Sequence, residues 1–279
     1  MKARRLFAAI AGLAVAWIAP ASAAPLGHRA HGPVAGLRLG PNATGATAVS
    51  ANWSGYAVDS TDATTSAPVS YRAVSGAWVQ PAATCTAGKA TYAAFWVGLG
   101  GFSPGSQALE QIGTSADCST SGRAQYSVWY ELVPTAAVPI KLKLSAGDSI
   151  SAVVVVSGQT VTLRLRNLTR RTVFTKRLTM AAPDVSSAEW IAEAPSECNS
   201  ALRCRVLPLS NFGSVTFSQA AAATVGAHAG TISDAAWAAT AIELVPDSAG
   251  NTVDVQTVGG AVPSALSPDG AGFSVAYRS

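Results

Sequence analysis

Short runs of alternating apolar and polar side chains recur from residue 50 to the C-terminus, punctuated by Gly, Pro, Asn and Ser. In VTLRLRN, Val161, Leu163 and Leu165 fall on one face of an extended chain and Thr162, Arg164 and Arg166 on the other, because successive strand side chains point to opposite sides. With the following RTVFTKRL this run reads as a hairpin. Its basic side, with Arg170, Arg171, Lys176 and Arg177, reads as a solvated outer face that discourages edge pairing rather than as an anion site. Comparable runs stand at 71–81, 91–101, 108–114, 124–133, 149–158, 188–194, 214–225, 239–247, 251–258 and 273–279. None alternates with long helical stretches as in a βαβ protein. The pattern predicts an all-β protein, an antiparallel two-sheet β-sandwich.

The beginning of the chain reads differently. Lys2, Arg4 and Arg5 precede the apolar run LFAAIAGLAVAWIAP, and Ala21-Ser22-Ala23 is a small-residue cleavage pattern. These features predict a secretory signal peptide over 1–23, cut after Ala23 or Ala24, and hence a secreted protein. The apolar run is short for a membrane span of about 20 residues and contains Pro20. Residues 24–49 are rich in Gly, Pro and Ala, carry no acid and hold no sustained period, so they read as a linker or removable pro-segment. Residues 50–279 form the expected single β domain, long enough for a sizeable core.

Charge sharpens this division. Five of the 19 basic residues and none of the 15 acids lie before residue 50, so the domain carries a net charge of −1 despite the overall +4. A nucleic-acid partner is therefore not expected. No later run is long enough to cross a membrane, so no membrane partner is expected either.

Four cysteines in an exported chain fit two disulfides with three possible connectivities. Proximity favours Cys198–Cys204, leaving Cys85–Cys118 by elimination. Beyond residue 50 there is one histidine, His228, and no CxxC pair, so neither a metal nor a cofactor is expected.

Polar residues interrupt the apolar strands in a pattern that suggests chemistry. Trp129 and Glu131 share one face of YSVWYELVP, Glu189, Ile191 and Glu193 share a face of AEWIAEA, and Leu109 and Gln111 share a face of ALEQIG. An unpaired buried charge costs several kcal/mol, so such placement implies a partnered core network or a working cleft. GFSPG at 101–105 matches the GxSxG of serine hydrolases, but a strand pattern follows it and the only available histidine is His228 in a small-residue loop. It reads as a turn. Glu131 and Glu193 with Trp53, Trp78, Trp96, Trp129 and Trp190 would also suit a carbohydrate-binding or carbohydrate-active sandwich. For the tryptophans as a set, core packing is the ordinary role.

Ten blocks in order carry a family resemblance: NWSGYAV, VSGAWVQP, AFWVGLGG, ALEQIGT, YSVWYELVP, GDSISAVV, RNLTRRT, AEWIAEAP, ECNSALRC and LPLSNFGSVTFSQA. Over about residues 50–220 the chain resembles the glutamic peptidases (eqolisins), pepstatin-insensitive acid peptidases first recognised in fungi. The resemblance implies a lectin-like sandwich of two curved sheets with the active site on a concave face. It implies catalytic roles for Gln111 and Glu193, a supporting cleft carboxylate in Glu131, and cleft tryptophans in Trp53, Trp96 and Trp129. It also implies a short disulfide loop matching Cys198 to Cys204, and polypeptide substrates for an enzyme expected to be a monomer. Gly100, Ser115 and Ser127 stand where fungal members usually carry acids.

A Gln–Glu pair suits acid hydrolysis. At acid pH a histidine base is protonated, whereas a carboxyl with an unperturbed pKa near 4.3 is partly ionised and an amide N–H donates without titrating. Arg29 and Arg38, joined on acidification by His28 and His31, are expected to hold the pro-segment against the acidic cleft until the cleft carboxylates protonate.

Overall fold

The computed structural model describes residues 28–31, 38–39, 46–59, 69–103, 105–198, 204–245 and 259–279. The expected signal peptide and the strand expected at 251–258 lie outside these residues. Among them every regular element is a β-strand.

Two antiparallel sheets face each other. In the first, Ser149–Ser157 lies between Thr160–Asn167 and Tyr71–Val79, with Thr172–Thr179 beyond the former and Ser214–Thr224 beyond the latter. Ser214–Thr224 then pairs with Phe273–Arg278 and Ala229–Thr231 on successive stretches. The period-two reading holds closely here. Val161, Leu163 and Leu165 are buried, whereas Arg164 and Arg166 are exposed.

The second sheet runs, in spatial order, Val138–Ile140, Ala124–Val133, Leu109–Cys118, Ala94–Leu99, Ser187–Glu193, Trp53–Asp59 and Ala238–Leu244. Ala46–Ser50 is added in parallel on Ala238–Leu244, and Arg38–Leu39 pairs with it in turn. The segment read as a linker thus contributes strands before residue 50, because an unpaired strand edge is satisfied by whatever extended chain can reach it. Gly260–Pro263 joins the two sheets, pairing with Phe273–Arg278 and, at Leu244, with Ala238–Leu244.

Phe95, Val97, Ile112, Val128 and Trp190 from the second sheet pack against Val74, Trp78, Ile150, Val154, Leu163 and Phe217 from the first. Two indoles tie the layers together. Trp190 Nε1 donates to the Ser75 carbonyl at 2.7 Å, and Trp78 Nε1 to Thr114 Oγ1 at 3.0 Å, so each large ring is buried without an orphaned donor. Truncating such a tryptophan to Ala typically costs about 3–5 kcal/mol. Both disulfides pair as proximity favours, Cys85–Cys118 and Cys198–Cys204. Of the GFSPG stretch, in which Pro104 lies outside the described residues, Gly101 and Gly105 have positive φ, and the strand Leu109–Cys118 follows.

Candidate active site

The outer face of the second sheet carries a second apolar cluster containing Trp53, Trp96, Leu109, Trp129 and Ile191. Strand register sorts this face into rows. Glu189, Gly98, Gln111 and Glu131 lie side by side across four strands; Ile191, Trp96, Gly113 and Trp129 form the next row; Glu193, Ala94, Ser115 and Ser127 the one beyond. Small residues at Gly98, Gly113 and Ala94 leave room for the polar groups between two large indoles. A Cβ on Gly113 would lie 2.5 Å from Trp96 Cβ, so no larger residue fits between the tryptophans.

The cleft is occupied by the chain's own N-terminal segment. His28–Ala30 pairs antiparallel with Ser196–Cys198, forming a three-stranded sheet with Cys204–Val206 that the Cys198–Cys204 bond closes. His31 follows into the cleft and is 2% exposed. Its N–H donates to Glu131 Oε2 at 2.8 Å, its carbonyl accepts from Gln111 Nε2, and its Nδ1 lies 3.2 Å from Glu193 Oε2. The ring stacks on Trp129 with centroids 3.7 Å apart and planes 3° from parallel. One residue therefore touches all three polar groups singled out in the sequence. Of the basic residues expected to hold the segment against the cleft, His31 lies in it, and the side chains of His28, Arg29 and Arg38 lie outside the described residues.

Each polar group is held from behind. Trp96 Nε1 donates to Glu193 Oε2 at 2.8 Å. Trp129 Nε1 donates to Ser115 Oγ at 3.0 Å. Gln111 Nε2 also reaches Glu131 Oε2 at 3.3 Å, so its amide orientation is set by two acceptors. Gln111 Oε1 and Glu193 Oε1 are buried and have no hydrogen-bond partner among the described residues. Burial pushes the Glu131 carboxyl up to about 8 against the opposing pull of the His31 N–H. Burial also holds Glu193 well above the usual carboxylate range, the Trp96 donor opposing it and the neighbouring Glu131 reinforcing it.

A second carboxyl group of residues lies beside this cleft. Glu189 is buried and held well above its usual pKa, chiefly by desolvation, with the charges of Asp184, Glu110 and Asp59 adding to it. Desolvation raises Glu110 to about 8, although one of its oxygens accepts the Asp184 N–H at 3.1 Å. For Asp184 burial acts upward, but hydrogen bonds from Ser106, Ser186 and Gly101 outweigh it and lower the pKa. Asp184 packs directly over Gly100, where an added Cβ would lie 2.5 Å from Asp184 Cβ. Asp184 thus sets a carboxyl against Gly100 from a distant segment, a contact that sequence position alone does not reveal.

Among the described residues no group of His, Cys, Asp and Glu side chains is arranged to hold a metal ion. His228 is a half-exposed surface residue 3.0 Å from Asp234.

The two-sheet β-sandwich thus gathers carboxyl, carboxamide and indole groups on one sheet face. Residues 51–262 match the Peptidase A4 family, and the chain belongs to that family, a hydrolase of the glutamic endopeptidase type. The fold is similar to that of scytalidoglutamic peptidase with a peptide-based transition-state analogue, at TM-score 0.62 and 24% identity over 82% of this chain and 98% of that one. It is also similar to SCP-B, an eqolisin in complex with the tripeptide Ala-Ile-His, at TM-score 0.59 and 24% identity over 82% and 98%. Aspergilloglutamic peptidase from Aspergillus niger matches at TM-score 0.53 and 27% identity over 67% and 99%. No curated protein matches the chain by sequence.

Proposed function

We propose that the chain is a secreted, pepstatin-insensitive acid endopeptidase in which Glu193 and Gln111 activate water. The observation that carries this reading is the division of labour on Gln111. Its Nε2 donates to a peptide carbonyl, that of His31, while its Oε1 and Glu193 Oε1 are buried acceptors with no close hydrogen bond among the described residues, the Trp53 and Asn52 side chains also favouring the charged form of Glu193 as donors. Those two oxygens accept the protons of a water molecule. Glu193 takes one of them as the water oxygen bonds to the carbonyl carbon, and the Gln111 N–H receives the developing oxyanion. Glu193 then returns the proton to the departing amine as the C–N bond breaks. One such oxyanion donor is worth about 2.7–4 kcal/mol of barrier. Trp96 fixes the other Glu193 oxygen, and Glu131 holds the Gln111 amide and the substrate N–H.

Residues 24–45 serve as a pro-segment. With His31 seated, the segment fills the cleft and takes the Gln111 and Glu131 groups that a substrate would use; its release admits substrate and water to Glu193. The Ala46–Ser50 strand is paired along its length, and Ala48 and Ser50 are buried, so removal ends before it rather than after it. The tripeptide Ala-Ile-His bound by SCP-B supports reading Arg29-Ala30-His31 as a peptide seated in a peptide cleft.

The test is casein digestion at about pH 2–5, with pepstatin present, by the wild type and by Glu193→Gln and Gln111→Ala. The wild type digests, and each variant loses at least about a hundredfold in kcat. Digestion unchanged in both variants refutes the assignment.

A further inference from the structure

We propose that the cleft selects histidine at the substrate position immediately before the scissile bond. The proposal rests on the peptidase reading above and adds the chemistry of the preferred substrate. The Gln111 Nε2 that awaits the oxyanion donates to the His31 carbonyl, so residue 31 stands where the residue contributing the scissile carbonyl stands. Its N–H is taken by Glu131, and the three residues before it lie as an added strand on Ser196–Cys198. Main-chain pairing of this kind accepts any sequence; discrimination comes from side-chain pockets.

The pocket at this position has two walls of different chemistry. Trp129 offers a flat indole against which the imidazole lies parallel at 3.7 Å, and its own N–H is turned away to Ser115. At the ring's edge Glu193 Oε2 takes Nδ1 at 3.2 Å, which leaves Glu193 Oε1 as the proton-accepting oxygen. Beyond the ring a cleft of about 190 Å³ is lined by small or apolar residues including Val128, Ala136, Ala137 and Pro139. A planar side chain with an edge N–H satisfies both walls at once. Leucine has neither the plane nor the donor, and phenylalanine has the plane alone. In acid an imidazole with its ordinary pKa near 6.5 is charged, which strengthens its contact with both the indole face and the carboxyl.

The exported full chain is incubated at about pH 4 until casein hydrolysis is maximal, then given peptides that differ only in having His or Leu before the scissile bond. Cleaved bonds are identified by mass spectrometry. The expected kcat/KM for the His peptide is about tenfold above that for Leu, the scale of a stacked ring plus a charge-assisted hydrogen bond. In Trp129→Leu that ratio falls below about threefold, and in Trp129→Phe, which keeps a ring, most of it survives. Casein hydrolysis with a His-to-Leu ratio near one, or a ratio indifferent to Trp129→Leu, overturns this proposal and leaves the peptidase reading standing. Absence of casein hydrolysis overturns both.

Discussion

Glu193 keeps its two oxygens for different partners, and that asymmetry governs what single substitutions do. Oε2 is shared by the Trp96 N–H and the His31 ring, whereas Oε1 is unclaimed among the described residues. His31 therefore holds the segment in place by its ring as well as by its backbone. His31→Ala in the full chain removes the stack on Trp129 and the Nδ1 contact but keeps the backbone N–H and carbonyl. Peptide hydrolysis by the unprocessed variant at about pH 5 is expected to exceed that of the wild type about tenfold, read in the first minutes while gel mobility shows the chain intact. Equal initial rates would mean that the ring adds nothing to occupancy of the cleft.

At the scale of elements, alternation made strands such as Ser149–Ser157, Thr160–Asn167 and Ala238–Leu244 legible because one face of each is wet, whereas Trp53–Asp59, Ala94–Leu99 and Ser187–Glu193 are buried on both faces. Thr160–Asn167 is the clearest instance, with apolar and basic residues on opposite sides. Leu109–Cys118 is buried at every position, since its outer face is covered by the indole cluster and the N-terminal segment, and there period two no longer separates core from cleft. The pairing order of distant strands, and so the rows that bring Gln111 beside Glu131 and two rows from Glu193, is a matter of long-range register that local pattern does not carry. The residues of the pair were legible only through the ordered family blocks. His31 was legible only as a charge expected to hold the pro-segment, and Asp184 and Ala46–Ser50 were not legible, because each acquires its contacts from a partner remote in sequence. Gly113 illustrates what register adds. Its Gly113→Ala variant meets the Phe95 carbonyl oxygen as well as Trp96, so the Phe95–Trp96 strand must shift, and overpacking of this kind costs about 1–3 kcal/mol. Thermal unfolding should show a Tm lower by roughly 2–10 °C, and kcat should fall more than KM rises because Trp96 orients Glu193. An unchanged Tm would place the strain elsewhere.

At the scale of the whole molecule, the second sheet concentrates carboxyl groups that the fold keeps protonated. Glu110 and Glu131 are pushed up to about 8, and Glu189 and Glu193 well above the ordinary range, burial being the first cause in each. The unfolded chain releases these protons near pH 4.3. Because the folded-state values are raised, the folded molecule binds more protons than the unfolded one above that pH. Its advantage is fully present below about 4.3 and is lost as pH rises towards about 8. Asp148 and Asp184 act in the opposite sense: hydrogen bonds outweigh burial and hold both below the usual value, so their contribution is present above about pH 3.9 and is lost in stronger acid. The two sets together place maximum stability near pH 4. A Tm profile should peak there and fall by about 10 °C or more by pH 8, since over that interval the unfolded chain releases protons that the folded molecule still holds. Glu189 separates this from a general effect of net charge, because it lies outside the proposed Glu193–Gln111 pair and both its oxygens are without a hydrogen-bond partner among the described residues. Glu189→Gln keeps the shape of a protonated carboxyl and cannot ionise, so it should flatten the decline between pH 5 and 8 while leaving the Tm at about pH 4 within a few degrees of wild type. A profile as steep as that of the wild type would exclude Glu189 as a source of the acid preference.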